Sequence, residues 1–406
     1  MLNCFYGYSF IWSIILVLYS FNITSFNGKL HTGLLFFIIS TIIISFIIGY
    51  INRKKFRFKY EAVNYSIKPV IFISIGFIMN FIYAKSIPFF QIAITKSSLY
   101  GDFEGIPLFY VFIIGISFYY GINYFNAFLN IGKHKKQSLF SFFIIAFFYL
   151  LCYSRSMILF LLLGAFILYI QYKKEKKNVT IDVNTNQGFK NKNRKVSIIT
   201  IIIVVFIGLI IFGGLGNVRV GLSFNDNSYI ERIGLYNQKY PKFLPKQLMW
   251  SYSYLTSPLA NLNYNYKIYH DNHNFNIRGV LNELMNRSFS KRIFPELNHN
   301  MKEEDFGFEL EHSYFNAATG YCFMYIYGGI VGMYLQFFTL MTISYLQISL
   351  IKKDRNKGKG NGTYIILLII NTLMFFYNTL NTTTMSWWII VNFFALMPKI
   401  KMKWSR

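Results

Sequence analysis

Residues 30–51 read LHTGLLFFIISTIIISFIIGYI, a stretch without a single Asp, Glu, Lys or Arg, and the chain then turns at once to Asn52-Arg53-Lys54-Lys55. As a helix this stretch rises about 33 Å, enough to cross the roughly 30 Å hydrocarbon core of a bilayer. Its apolar residues do not alternate with polar ones, so the period-two signature of a barrel strand is missing. Backbone polar groups in lipid must be satisfied within the segment itself, which leaves the helix as the reading. Comparable runs recur at Cys4 to Phe21, Ile106 to Ala127, Val196 to Leu215 and Ile326 to Ile351. The whole chain agrees: of 406 residues 54% are hydrophobic, 20% aromatic and only 14% charged. That composition belongs to a polytopic membrane protein rather than to soluble domains.

The formal net charge of +25 would suggest nucleic-acid binding in a soluble protein. Its distribution argues otherwise. Five segments between apolar runs, 52–68, 131–137, 173–195, 352–359 and 398–406, hold 26 of the 41 lysines and arginines but only four acids. Residues 216–323 instead set eleven basic side chains against ten acidic ones. If the helices alternate in direction, all five basic segments fall on one side, the positive-inside pattern of cytoplasmic loops. Topology accounts for the charge, and nucleic acid is not an expected partner.

The expected fold is therefore all-α: a polytopic bundle of about ten transmembrane helices in the bacterial inner (cytoplasmic) membrane, multi-pass, with both termini cytoplasmic. Residues 1–215 would hold helices one to seven with their basic cytoplasmic loops, and 324–406 helices eight to ten with a cytoplasmic tail. Between them, 216–323 would form a large, mostly helical periplasmic loop domain; loops this long are usually functional. The third helix, about 66–84, opens on Lys68 and Pro69, which a first turn tolerates. The fifth and sixth, about 138–153 and 157–172, meet around Tyr153, Ser154, Arg155 and Ser156. The ninth and tenth, about 364–380 and 385–397, meet around Asn381 and three threonines, with Trp387 and Trp388 as interfacial anchors. Segment 173–195, with its KKEKK and KNKNRK runs, reads as a solvated, disordered connector. Cys4, Cys152 and Cys322 are too few and scattered for a disulfide framework. The first run lacks the basic start and small-residue cleavage site of a signal peptide and is read as the first helix.

Ionisable groups at the outer membrane boundary demand an explanation, because placing a charge near hydrocarbon is costly. Arg155 sits at the tip of the fifth/sixth hairpin, Arg219 follows the seventh helix in Gly216-Asn-Val-Arg-Val-Gly221, and Arg278 lies in Asn276-Ile-Arg-Gly279. A guanidinium is a permanently charged fork that binds phosphate oxygens in pairs, so a cluster of three suits a lipid-linked pyrophosphate. Each also fits a helix cap or a snorkelling cation. His312, in Glu311-His-Ser-Tyr-Phe-Asn316, is a candidate base or hydroxyl-orienting group near neutral pH, or else a packed loop residue. Downstream, Gly328, Gly329 and Gly332 would let a helix or a lipid chain approach closely.

Metal chemistry finds weaker support. His270 and His273 share an H-x-x-H spacing, and Glu303, Glu304, Asp305, Glu309 and Glu311 form an acidic run, but neither matches a strong ligand signature. Asp102 and Glu104 form a D-x-E that would suit a divalent cation, although turn chemistry around Gly105 and Pro107 explains the same residues. No metal or cofactor site is expected.

Four features in order resemble the bacterial oligosaccharide repeat-unit polymerases, the Wzy-type O-antigen or capsule polymerases. They are Gly105-Ile-Pro107 opening a helix, Ser154-Arg155 between two short helices, Arg219 soon after the helix that enters the large loop, and His312-Ser-Tyr-Phe315 leading through Gly329 and Gly332 into the next helix. The resemblance spans roughly residues 70–350. It implies a multi-helix glycosyltransferase, sharing its fold with O-antigen ligases and acting without nucleotide sugar or metal. A glycan on polyprenyl pyrophosphate would be transferred to a sugar hydroxyl of an incoming lipid-linked repeat unit. Carried over, Arg155 and Arg219 would bind or stabilise pyrophosphate, Arg278 would assist, and His312 would activate or position the acceptor hydroxyl. Partners so implied are the lipid-linked donor and acceptor, membrane lipid and a chain-length regulator protein. The alternatives are an O-antigen ligase and a transporter or flippase of lipid-linked oligosaccharide.

Overall fold

A computed structural model describes residues 3–56, 65–95, 103–130, 134–183, 198–237, 239–270, 275–285, 308–353 and 360–396. Among these residues the chain is all-helical; the only strand-like pairing is an isolated bridge between Thr24 and Tyr236. The first helices are α1 (Cys4–Ser20), α2 (Thr32–Ile51), α3 (Lys68–Ala84), α4 (Pro88–Thr95), α5 (Phe109–Leu129), α6 (Lys135–Leu151), α7 (Arg155–Val183) and α8 (Ile198–Arg219). They are followed by α9 (Ser228–Ile233), α10 (Leu248–Tyr269), α11 (Ile277–Met285), α12 (Cys322–Lys353), α13 (Gly360–Leu373) and α14 (Thr383–Leu396).

Each of the ten apolar runs of the sequence overlaps one of these helices, most ends lying within a few residues, but the ninth, expected to reach residue 380, stops at Leu373 and the sixth runs on to Val183. Four are both long and apolar enough to cross a membrane: Thr32–Ile51, Phe109–Leu129, Ser156–Glu175 and Cys322–Ile351. Shorter apolar helices include Cys4–Ser20, Lys68–Ala84, Phe206–Val218, Gly360–Leu373 and Thr383–Leu396. The connector expected to be disordered from residue 173 is instead helical to Val183, since its lysines and glutamate are good helix formers that prolong α7. Residues 184–195 of that connector lie outside the described residues.

Surface polarity is inverted relative to a water-soluble bundle. The outer faces carry Phe36, Ile43, Phe46 and Ile47 on α2, Ile71, Ile75 and Ile82 on α3, and Phe140, Phe143 and Phe147 on α6, all exposed. Asn80, Ser117, Asn123, Asn126, Asn361 and Asn371 are fully buried. Helices that are apolar on their outer face and polar within suit a lipid solvent, and the buried amides and hydroxyls act as interhelical fasteners. Asn126 accepts from Asn361 at 3.1 Å, Asn371 donates to Ser344 at 2.8 Å, and the Ser117 and Tyr149 hydroxyls share a bond of 2.8 Å. At the centre lie α5, which touches α3, α6, α7, α13 and α14, and α13, buried from Gly360 to Asn371.

Helix ends are set by local chemistry. Asn3 caps α1 by accepting from the Phe5 amide, while its own amide donates to the Gly49 carbonyl; this bolts the start of α1 to the end of α2 and makes the pair antiparallel. The α6/α7 hairpin turns through Tyr153 in the left-handed region (φ 51°). Ser154 N–H donates to Tyr149 O and Tyr153 N–H to Leu150 O, the Schellman pattern that closes a helix. α12 is interrupted at Gly329 (φ 58°, ψ −154°), a backbone region open essentially to glycine alone. Past the break, Gly332 lies against the Met324 carbonyl, where a side chain would collide.

Two substitutions test the break. Gly329→Ala and Gly332→Ala should each lower stability by about 1–3 kcal/mol, read as a fall in the thermal unfolding midpoint of the detergent-solubilised protein. Gly208→Ala on α8, where a Cβ meets nothing within 4 Å, should be neutral or stabilising.

Candidate functional site

Direction alternates along the bundle, so the described parts of the loops 21–31, 103–108, 152–154, 220–321 and 374–382 share one end. α10 crosses that end. Near its start Ser251 donates to Leu209 O of α8, and near its finish the Tyr266 hydroxyl lies against Gly33 at the start of α2. Its buried face is unusually polar, with Ser251, Ser253, Thr256, Ser257, Asn261, Asn263 and Asn265. The asparagines hold loops in place. Asn261 donates to Phe315 O at 2.8 Å and Ala317 O at 2.7 Å and accepts from Glu311 N at 2.9 Å. One turn on, Asn265 donates to Glu309 O at 2.7 Å and accepts from Glu309 N at 3.0 Å. From the other side of the helix Asn263 accepts from His31 N and donates to Lys29 O. Irregular backbone thus finds the partners that a sheet would otherwise supply.

The loop gripped in this way carries His312. Its ring is half-buried among Phe26, Tyr314 and Phe315, with centroids 6.3, 5.4 and 5.8 Å away. Partial burial pulls its pKa below the usual histidine value, so the ring is neutral at pH 7. Nδ1 accepts the Tyr314 amide in a long bond of 3.4 Å, which places the proton of the neutral ring on Nε2. Nε2 is then a donor and not an acceptor. Next to it, burial raises the Glu311 carboxyl, an effect opposed by the ammonium of Lys267.

Below the loop opens a cavity of about 510 Å³. Glu283 of α11, Tyr254 and Ser257 of α10, Thr319, and Asn378 and Asn381 between α13 and α14 contribute to its lining. Glu283 is 2% exposed, and amides clamp its carboxylate: Asn378 donates to Oε2 at 2.8 Å and Asn381 to Oε1 at 2.7 Å. Asn378 is itself oriented, because its Oδ1 accepts from Gln336 Nε2 at 2.5 Å and from the Leu380 amide at 3.0 Å. That leaves only its NH₂ to face the carboxylate.

Close packing on α12 sets α11 in place. Gly279 lies against the Tyr327 ring and Gly328 against Val280, so the glycines let two helices approach, as their spacing suggested. Asn276 caps α11 by accepting from Gly279 N, and its amide donates at 2.7 Å to Tyr327 O, a carbonyl released by the break at Gly329.

Of the residues expected from sequence, His312 lies on the loop that roofs the cavity, although its ring is not part of the described lining. Arg278 is exposed on α11, off the face that carries Glu283. Arg155 is the first residue of α7, and Arg219 the last of α8, where Asn217 ties the following turn to Phe224, Asn227 and Trp250. The side chains of Arg155 and Arg219 lie outside what is described. Gly105 to Pro107 lead into α5 as expected, with the Ile106 amide donating to Asn80. Glu104 is exposed, and His270 is exposed beside His31; Asp102, His273, Glu303, Glu304 and Asp305 fall outside the described residues. Among the described residues no three His, Cys, Asp or Glu side chains gather as a metal would need.

Sequence reasoning missed Glu283, Gln336, Asn378 and the role of Asn381. The available signal was an acid inside the apolar run of Val280-Leu-Asn-Glu-Leu-Met285, where burial demands partners. No protein-family model, curated protein or solved structure matches this chain.

The Asn261 clamp and the His312 titration are both measurable. Asn261→Ala strands two carbonyls and one amide, and should cost about 1–3 kcal/mol and expose the 308–319 loop to protease. Because folding favours the neutral His312 ring, its contribution to stability is intact above about pH 6.5 and is lost as pH falls through the lower folded value. Histidine NMR should show this ring titrating below the ordinary range, and moving back toward it in Asn261→Ala.

Proposed function

We propose that this protein is a membrane glycosyltransferase that polymerises polyprenyl-pyrophosphate-linked oligosaccharide repeat units into O-antigen, capsular polysaccharide or exopolysaccharide. The observation that carries this reading is the cavity at the capped end of the bundle. Its carboxylate, amides and hydroxyls match sugar hydroxyls, and rings such as Tyr254, Phe376 and Tyr377 offer faces for the apolar side of a pyranose. The cavity lies opposite the basic end, which the positive-inside rule assigns to the cytoplasm, so the reaction takes place on the periplasmic side of the inner membrane.

The chemistry asks for two things of this end of the molecule. Cleaving the anomeric bond builds positive charge on the sugar and negative charge on the departing pyrophosphate. Arg155, Arg219 and Arg278 supply fixed positive charge to that leaving group; Arg155 does so from a helix N-terminus, whose free N–H groups also favour phosphate. The acceptor sugar must present one hydroxyl to the anomeric carbon, and His312, a donor at Nε2 on a clamped loop, orients it. Donor and acceptor both arrive through lipid, in keeping with the apolar outer faces of the helices.

A carrier of lipid-linked oligosaccharide is the second reading, favoured by the broken helix at Gly329, since interrupted helices mark substrate sites in transporters. One reconstitution separates the two. Purified protein given a polyprenyl-pyrophosphate repeat unit should yield a ladder of products on a gel. Arg219→Ala should slow that ladder by about 10²–10³-fold and His312→Ala by at least about tenfold. No ladder from the native protein, or one that both substitutions leave unchanged, overturns the polymerase.

A further inference from the structure

We propose that the turn from Pro241 to Leu244 is a membrane anchor: Phe243 enters the acyl–headgroup boundary of the leaflet at the capped end of the bundle, and Lys239 and Lys242 hold the phosphates of anionic phospholipid there. This stands apart from the glycosyl-transfer reading, since it concerns the bilayer around the protein and no step of the reaction.

The first observation is exposure. Phe243 is 84% exposed, the highest value for any large apolar side chain among the described residues. The next in order, Ile51, Ile82, Phe36 and Val331, all lie on apolar helices, where lipid covers them; Phe243 lies on a loop. That loop does not let the ring fold back. The Leu244 N–H donates to Pro241 O at 3.0 Å and closes a turn with Lys242 and Phe243 at its corners. The Tyr240 hydroxyl donates to Pro245 O at 2.8 Å and straps the base of the turn, while Pro241 and Pro245 fix φ on either side. A built turn that holds a phenyl ring outward in water forfeits the burial of that ring, whereas one that meets lipid gains it.

Depth is the second observation. A Cβ on Gly213 of α8 would collide with the Gln247 carbonyl, and Ser251 donates to Leu209 O of the same helix. Gly213 precedes the end of α8 at Arg219 by six residues, about 9 Å along the axis. Past that level α8 still presents exposed apolar side chains, Leu215 and Val218. The chain leading out of the turn therefore joins the bundle within the span of a lipid-facing surface, and the turn lies at its border.

Charge is the third. Lys246 pairs with Glu231 at 2.6 Å, while Lys239 and Lys242 are exposed. A lysine beside an interfacial ring extends its ammonium to the headgroup phosphates, and each such lysine adds attraction to an anionic surface. A ring and an ammonium at adjacent corners of one turn thus match the two layers of the boundary. The grip reaches the cavity as well. Pro245 and Lys246 carbonyls accept from the Leu248 and Met249 amides, so the turn runs straight into α10, and anchoring it fixes the foot of the helix whose asparagines hold the roof loop.

The test uses the full chain in nanodiscs of phosphatidylcholine mixed with phosphatidylglycerol, with a nitroxide attached to Phe243→Cys. Cys4, Cys152 and Cys322 are buried, and the unsubstituted chain reports any label they take up. Ile43→Cys on the outer face of α2 gives the lipid reference, and Glu309→Cys, exposed on the roof loop, gives the water reference. The ratio of nitroxide collisions with dissolved oxygen to those with a water-soluble nickel chelate should be several-fold higher at position 243 than at 309, and should approach that at 43. Lys239→Glu combined with Lys242→Glu, or discs of phosphatidylcholine alone, should each lower the ratio at 243 and leave that at 43 unchanged. All three positions of the turn are exposed, so the thermal midpoint of these variants in detergent should match the native value. A ratio at 243 no higher than at 309 puts the turn in water and overturns the anchor. A nitroxide shielded from both reagents overturns it too, because protein then covers the turn. A ratio that neither the lysine substitutions nor the loss of phosphatidylglycerol changes overturns the assignment to anionic lipid.

Discussion

Backbone groups that this chain takes out of water depend on partners inside the protein, because the surrounding lipid offers none. Helices meet that demand for their own backbones; loops cannot. The end of the bundle that carries α10 and α11 has long irregular segments, and they stay in place because asparagine side chains answer their amides and carbonyls one by one. Asn261 alone serves three backbone groups on the 308–317 stretch, and Asn265 serves two more. An asparagine suits this task better than a charged residue, since it offers a donor and an acceptor together and brings no ionic desolvation cost.

The same rule shapes the cavity. A carboxylate that is 2% exposed would be untenable in an apolar wall, and the Asn378 and Asn381 amides make it tolerable. Gln336 in turn fixes Asn378, so the network runs from the middle of α12 through the α13–α14 turn to α11. Such a chain holds the carboxylate in one orientation.

What the sequence made legible follows from the strength of each signal. Long apolar runs bounded by lysines gave most of the bundle helices to within a few residues, because hydrophobic length and positional charge both act locally. The extension of α7 through Lys173, Lys174 and Glu175 was misread because polarity was weighed over helix propensity. α10 was hidden for a deeper reason: Ser, Thr and Asn are interspersed with Trp250, Leu259, Leu262 and Tyr266 on its buried side, which blurs hydrophobic periodicity. Glu283 lay in the loop domain expected to be mostly helical, yet its partners come from positions about a hundred residues onward, and no local pattern joins Glu283 to Asn378. His312 and the three arginines were picked out as charged or titratable residues at boundaries, a signal that marks which end matters without saying which side chains meet.

The break in α12 explains how these distant pieces come to one place. Interrupting a helix frees a carbonyl, and at Gly329 the freed Tyr327 oxygen is taken by the amide of Asn276, whose side chain also starts α11. One residue therefore ties the beginning of a new helix to the flaw in an old one. Gly279 and Gly328 then bring the two helices together, and Glu283 follows Gly279 by four residues, one turn later and on the same face. Any residue at 279 or 328 larger than glycine would push α11 outward and carry the carboxylate with it. Arg278, one position before Gly279, lies off that face and stays exposed. The docking that turns Glu283 inward thus leaves Arg278 outside, available to a group too large or too highly charged to enter the cavity.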